Sequence, residues 1–338
     1  MSSTITTMNR IAVIYCPNEN HYQKYTDGSY HPEQPMRVLN AQKYLTKKYP
    51  GLPITEMNKY NDEEIIDFLG TTHDSSHMDL IKRKFEDMNS AYSVGDESFK
   101  AVLRMSQCLM TMCDLVEKDI IDYAICVVRP PGHHCCNHKP AGFCLINTAI
   151  VSAKRLIQKF KKVSIFEIDL HHGGGTQKEV ERNTNIMYTS IHNKSVWSDG
   201  LYKKGINGVI RDGRIINVAL PVKSNDSDYL YTSEFIIEKM EKFTELCILS
   251  AGFDAHKLED GVGFKSHRMN LSSNYYGKLG NMLKKTFNKT FVILEGGYNE
   301  EAIAESLGLM IEGFMGREEF ETKGKLRKSV EKIVKKLN

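Results

Sequence analysis

Asp169 and His171 stand two residues apart in the string DLHHGGGTQ, and Asp254 follows the apolar run LCILSAG. Two residues apart at a strand end, Asp169 and His171 project from the same face and can reach one ion. Asp254 would complete a set of two carboxylates and one imidazole. Such a set leaves zinc an open position for water and a substrate carbonyl, as a catalytic rather than a structural site requires. His133 and His134 are adjacent behind Pro130-Pro131-Gly132, a turn that restricts the backbone before them. Neighbouring imidazoles repel when both are charged, so their protonation splits, as paired acid and base roles need. Tyr298 follows Glu295-Gly296-Gly297, and a phenol aimed at a carbonyl oxygen stabilises the negative charge that grows there. Taken singly, each residue has a plainer reading: the aspartates as helix caps, a histidine as an exposed loop residue, the tyrosine as a wall. Their convergence favours chemistry. A structural zinc knot of Cys135, Cys136, His138 and Cys144 matches no common zinc spacing.

These residues need elements that bring them together. Short β-branched runs recur at Ile11 to Tyr15, Ala124 to Val128, Val163 to Leu170 and Asn185 to Ile191, then as IINVAL, LCILSAG and TFVILEGG. Stretches of helical periodicity separate most of them, so strand and helix alternate, and the continuous apolar strands suit a parallel sheet covered on both faces. Ligands gather at the carboxyl ends of such strands. Arg129 to His134, Asp169 to Gly173, Phe253-Asp254 and Tyr298 all fall there. No repeat, low-complexity linker or domain boundary is visible, which predicts one domain over residues 1–338, with a core over about 10–316 and a closing amphipathic helix over 317–338. From about Lys325, Leu326, Val330, Ile333, Val334 and Leu337 share one face of that helix, with lysines around the rest.

At 338 residues and 41% apolar side chains the chain can bury a large core. A net charge of +3 is too weak a field to make nucleic acid the main partner. Eight scattered cysteines show no disulfide framework, which points to a reducing compartment. The opening MSSTITTMNR lacks the basic start and apolar run of a secretory signal, and no stretch approaches membrane-spanning length. The expectation is a soluble intracellular protein, cytoplasmic in the first instance and nuclear in the second.

The residues resemble the histone deacetylases together with the bacterial acetylpolyamine amidohydrolases. The resemblance rests on RPPGHH at Arg129, GFCLIN at Gly142, DLHHGGGTQ at Asp169, SIH at Ser190, LSAGFDAHK at Leu249, EGGYN at Glu295 and a weaker HPEQPMR at His31. These strings keep the family's order and are closer in style to class II and bacterial members. The resemblance implies a single α/β domain of arginase-like fold, with a mostly parallel eight-stranded sheet flanked by helices. It implies one zinc ion on Asp169, His171 and Asp254, and structural potassium held mainly by backbone oxygens. His134 becomes the general base toward the attacking water, His133 a charged partner, and Tyr298 the group that polarises the amide. Phe143, beside Gly142, would line a narrow substrate channel, Arg37 would lie near an inner cavity through which acetate leaves, and Gly261 would stand at the mouth.

Three positions depart from the family pattern. Glu167 replaces the usual Asp two residues before the first metal ligand, and Gly174 replaces an Asp or Asn beside the second catalytic His. The loop after Asp254 reads Leu258-Glu259-Asp260-Gly261-Val262 in place of Asp-Asp-Pro-Leu-Gly. Loss of a supporting carboxylate commonly lowers activity or affinity about ten- to a hundred-fold. The substrate expected first is the acetylated lysine of a histone or another protein. Acetylated polyamines are the alternative, for which Glu259 and Asp260 could attract the cation, although the ordinary reading of both is a solvated loop. A third reading, from Gly174 and Glu167, is a zinc-holding scaffold without turnover.

Overall fold

In the computed structural model, residues 10–21, 24–25, 29–83, 85–87, 92–94, 97–196, 201–203, 205–259 and 268–338 are described. The apolar runs become β1 (Ile11–Cys16), β5 (Tyr123–Val128), β6 (Val163–Glu167), β7 (Ile186–Asn193), β9 (Ile215–Leu220), β10 (Leu246–Ala251) and β11 (Lys289–Leu294). They join the short β8 (Gly208–Ile210) in one eight-stranded sheet of order β1-β5-β11-β10-β6-β7-β9-β8. Only β8, at the edge, runs antiparallel to its neighbour. Three short strands, β2 (Lys24–Tyr25), β3 (Phe85–Asp87) and β4 (Tyr92–Val94), form a separate antiparallel sheet that the hydrophobic pattern does not reveal.

Strand side chains alternate, and the two faces of the sheet have separate cores. Ile11, Val13, Ile125 and Val127 point to one cluster, which α1 (Met36–Lys48), α7 (Asp226–Glu241), α8 (Ser273–Thr286), α9 (Glu300–Phe314) and α10 (Lys328–Lys335) cover. Ala12, Ile14, Ala124 and Cys126 point to the other, beneath α2 (Asp62–Gly70), α3 (Ser75–Ile81), α4 (Ser98–Glu117), α5 (Thr148–Phe160) and α6 (Gly174–Val180). Burial on both sides is why these strands read as continuous apolar runs. The result is a single-domain α/β fold, and among the described residues no helix is long and apolar enough to cross a membrane.

The closing helix starts at Lys328 rather than before it. Arg327 is extended, at φ −86° and ψ 135°. Its backbone N–H and Nε bond to Asp228 at 2.9 and 2.7 Å, which fixes the chain ahead of the first turn. Val330 and Val334 are buried, whereas Leu326 is exposed. The stretch 317–327 is therefore not helical, a correction to the expected face.

Candidate active site

β6 and β10 are parallel neighbours, with Ser250 opposite Glu167, so the segments after them emerge side by side. His171 Nδ1 lies 3.2 Å from Asp169 Oδ1 and 3.1 Å from Asp254 Oδ2. The second oxygen of each aspartate is anchored by backbone. Gly296 N–H donates to Asp169 Oδ2 at 2.8 Å, and Leu170 N–H donates to Asp254 Oδ1 at 2.8 Å. Neither aspartate caps a helix. A Cβ on Gly296 would stand 2.5 Å from Asp169 Oδ2 and 2.8 Å from Asp254 Oδ2, so only glycine lets this backbone close over the pair.

Two buried carboxylates this near one another call for positive charge. Burial and the charge of Asp169 push Asp254 up to about 6. Burial opposes a charge on His171, yet its bonds to Asp169 and Asp254 lift it to about 9. Positive charge between the two carboxylates would relieve both. The donor set of two carboxylates and one imidazole fits a zinc ion with a position left open.

One other group of potential ligands among the described residues is partly engaged. In the His73, His77 and Cys135 group, His73 Nε2 accepts from Asn147 N–H at 2.9 Å and His77 Nε2 bonds Leu145 O at 2.8 Å. Cys135, Cys136, His138 and Cys144 form no single ligand group among the described residues.

β5 delivers the histidine pair through Arg129-Pro130-Pro131-Gly132. The rings of His133 and His134 are 3.9 Å apart, and that of His134 is 5.8 Å from His171. His133 Nδ1 stands 3.5 Å from Glu167 Oε1, and its Nε2 stands 3.9 Å from Asp169 Oδ1. Burial works against a charge on His133, but Asp169, Glu167 and Glu295 together raise it well above the usual imidazole range. Gly174 opens α6, whose Thr176 N–H donates to His133 O at 3.1 Å. The Thr176 hydroxyl donates to the same carbonyl at 3.4 Å, so α6 holds the pair through Thr176 rather than through an Asp or Asn at 174.

Gly142 has φ +52°, and a Cβ on it would stand 2.3 Å from His134 Cδ2. Phe143 follows in the left-handed region at φ +71°, an unusual conformation for a bulky residue and one found at ligand-facing positions. Its ring meets His31 edge-on at 4.3 Å and Tyr298 at 6.0 Å and 84°.

Tyr298 is half-buried and held from several sides. Gly297, at φ +105°, packs so closely that a Cβ would reach 2.8 Å from Phe253 Cβ. Arg37 Nε donates to Gly297 O at 2.6 Å, and the Arg37 guanidinium carbon lies 4.8 Å over the tyrosine ring. Withdrawal from water lifts the phenol well above its ordinary range, so it keeps its proton and can donate. Arg37 itself lies behind Tyr298, fully buried, with Nη1 on Glu33 Oε1 at 3.1 Å. Arg129 grips the same Glu33 carboxylate at 2.8 and 2.7 Å. This buried Arg–Glu–Arg triad joins the histidine loop to the tyrosine.

One expectation is overturned. Glu259 is neither solvated nor a free rim acid: it is buried, and its Oε2 accepts from the backbone N–H of Tyr298 and of Asn299. Its acceptor role went unseen because the partners lie forty residues downstream in sequence. Glu33 and Glu295 were also missed; Glu295, a charged residue directly after the apolar run TFVIL, carried a signal, whereas Glu33, in HPEQPMR ahead of α1, carried none. Gly261 and Asp260 lie outside the described residues.

A histone deacetylase domain family model matches residues 31–314. Histone deacetylase clr3 of Schizosaccharomyces pombe is 29% identical over 343 residues, which covers 91% of this chain and 48% of that protein. Histone deacetylase HDA1 of Saccharomyces cerevisiae is 29% identical over 321 residues, covering 84% of this chain and 44% of that protein. The chain thus spans about half the length of these curated relatives. Among solved structures, the HDA15 HD domain superposes with a TM-score of 0.82 at 24% identity, covering 98% of this chain and 93% of that one. The acetylpolyamine aminohydrolase from Burkholderia pseudomallei gives 0.75 at 18%, covering 90% and 99%. At these identities both speak to the fold alone.

Proposed function

Because the chain belongs to the histone deacetylase family, we propose that it is a zinc-dependent amidohydrolase that cleaves the amide of N-acetyl-lysine side chains and releases acetate. The observation that carries this reading is the meeting of Asp169, His171 and Asp254, whose ligand atoms lie within 4.8 Å of one another beside a histidine pair and a phenol. Those three residues would hold the ion, and zinc bound there supplies a Lewis acid for the carbonyl and a water of lowered pKa.

The remaining chemistry falls to side chains. His134 takes the proton of the attacking water and returns it to the departing amine. His133, charged beside Glu167, offsets the negative charge that builds on the carbonyl oxygen, and the Tyr298 phenol donates to that oxygen. Phe143 flanks the approach, where an aromatic wall favours an extended alkyl chain over a branched one. The burial of Glu259 supports lysine over polyamine, because its Oε2 is bonded to the backbone N–H groups of Tyr298 and Asn299 rather than offered to a second ammonium.

The test measures turnover of acetyl-lysine peptides and acetylated polyamines in parallel, with zinc content determined on the same protein. Chelation should abolish activity and zinc should restore it, with peptides the better substrates. A preference for polyamines overturns the lysine assignment; zinc-loaded protein that turns over neither class is a scaffold. An Asp254→Ala variant that still binds a full equivalent at wild-type affinity would remove this ligand set.

A further inference from the structure

Glu295 is fully buried, at 0% exposure, just past the end of β11. Burying a carboxylate is strongly unfavourable unless its oxygens are bonded. Here Oε2 accepts from the backbone N–H of Gly132 at 2.7 Å and of His133 at 3.1 Å. Oε1 accepts from Thr148 Oγ1 at 3.2 Å and Ser250 Oγ at 3.0 Å. The sheet order explains the reach. β11 lies between β5 and β10, so a side chain at its end touches the histidine turn on one side and Ser250 on the other.

The backbone of Glu295 extends the same connections. Its carbonyl accepts from Arg37 Nη2, the guanidinium that lies over Tyr298, and the next N–H, that of Gly296, holds Asp169 Oδ2. One short segment therefore touches the histidine pair, the aspartate pair and the tyrosine.

We propose that Glu295 is a positioning residue for the reaction: its carboxylate sets where the His133–His134 segment stands relative to Asp169 and Tyr298. This rests on the deacetylase reading. Gly132 and His133 sit in a turn with no regular ladder, so without this acceptor their N–H groups must find other partners and the turn reseats. A misplacement of about 1 Å in a catalytic group lowers turnover by about a hundred-fold. The competing account is that Glu295 acts only through its charge, by favouring the His133 imidazolium.

Two substitutions separate the accounts. Glu295→Gln removes the charge but keeps the shape: its oxygen can accept from Gly132 and His133, and its amide can donate to the Thr148 and Ser250 hydroxyls. Glu295→Asp keeps the charge and withdraws the oxygens by about one carbon–carbon bond, ~1.5 Å. At equal zinc content, the Gln variant should keep kcat within about threefold, and the Asp variant should lose about ten- to a hundred-fold in kcat with KM within about twofold. The reverse pattern overturns the proposal. Imidazole ¹⁵N shifts of His133 and His134, recorded on the zinc-loaded proteins, provide a readout free of turnover: they should move in the Asp variant and hold in the Gln variant. If the wild-type protein turns over no acyl substrate, the functional reading fails by itself. The shifts then decide the positioning role, which unmoved His133 and His134 signals in the Asp variant would sink.

Discussion

The carboxylate of Glu259 accepts the backbone N–H of Tyr298 at 2.7 Å and that of Asn299 at 3.0 Å, which ties the loop after Asp254 to the tyrosine of the same site. Asn299 also caps α9 by accepting Ala302 N–H, so Glu259 stands at the positive end of a 15-residue helix.

Glu259→Ala should therefore lower stability by about 2 kcal/mol, through two charge-assisted bonds and the helix end. It should lower kcat by about ten-fold as Tyr298 loses its backbone anchor. The ratio of activity on acetyl-lysine peptides to that on acetylated polyamines should stay constant. A shift of that ratio toward peptides would show that Glu259 does attract the cationic substrate.

Tyr298→Phe removes the phenol while leaving the ring between Arg37 and Phe143. Turnover should fall by at least about a hundred-fold, as on losing an oxyanion-stabilising donor, with zinc content and melting temperature held. Wild-type turnover in the Phe variant would reduce Tyr298 to a wall residue.

Gly142→Ala places a methyl 2.3 Å from His134 Cδ2 at a residue whose φ is +52°. The backbone or the imidazole must give way, at about 1–3 kcal/mol of stability. Activity should fall by more than about ten-fold because the ring that yields is the expected base. Kinetics and thermal melts on the one variant check both parts; an active, fully stable Ala variant contradicts the close approach.

The Glu33 carboxyl, buried between Arg129 and Arg37, responds to pH through stability. Burial alone would raise it, but the two guanidinium groups hold it down to about 2, against 4.5 when unperturbed. A carboxyl depressed in the folded state stabilises above its unfolded value, and that contribution is lost as pH falls through the interval from 4.5 to about 2. The difference amounts to roughly 3 kcal/mol. Urea unfolding at pH 6 and at pH 3 should show a steeper loss in wild type than in Glu33→Gln. Parallel losses in the two proteins would mean that Glu33 is not held low.

The strand runs and the residues after them were legible because parallel strands buried on both faces carry an unbroken apolar signature, and polar residues just beyond it stand out. Asp169, His171, Asp254, the histidine pair and Tyr298 are all gathered at one end of the sheet, as that signature implies. Glu259 was not legible. An acid in a polar loop looks solvated unless its acceptors' partners are known, and those lie on another strand's loop. Glu33 is similar: its meaning depends on Arg129 and Arg37, two cations brought together only by the fold. The start of α10 depends on the Arg327–Asp228 contact, so periodicity alone set it too early.

The place of β11 has a consequence for synthesis. The last strand of this sheet in sequence order among the described residues, it is inserted between β5 and β10, near the middle of the sheet. A growing chain that has completed β10 still lacks the strand that joins β5 to it, and both present unpaired edges until residues 289–294 arrive. Such edges are templates for wrong pairing. Pairing β11 with β5, distant in sequence, is a non-local contact of the kind that slows folding. The late place of β11 also means that the histidine pair, the aspartates and the tyrosine come together only once residues through Tyr298 have left the ribosome.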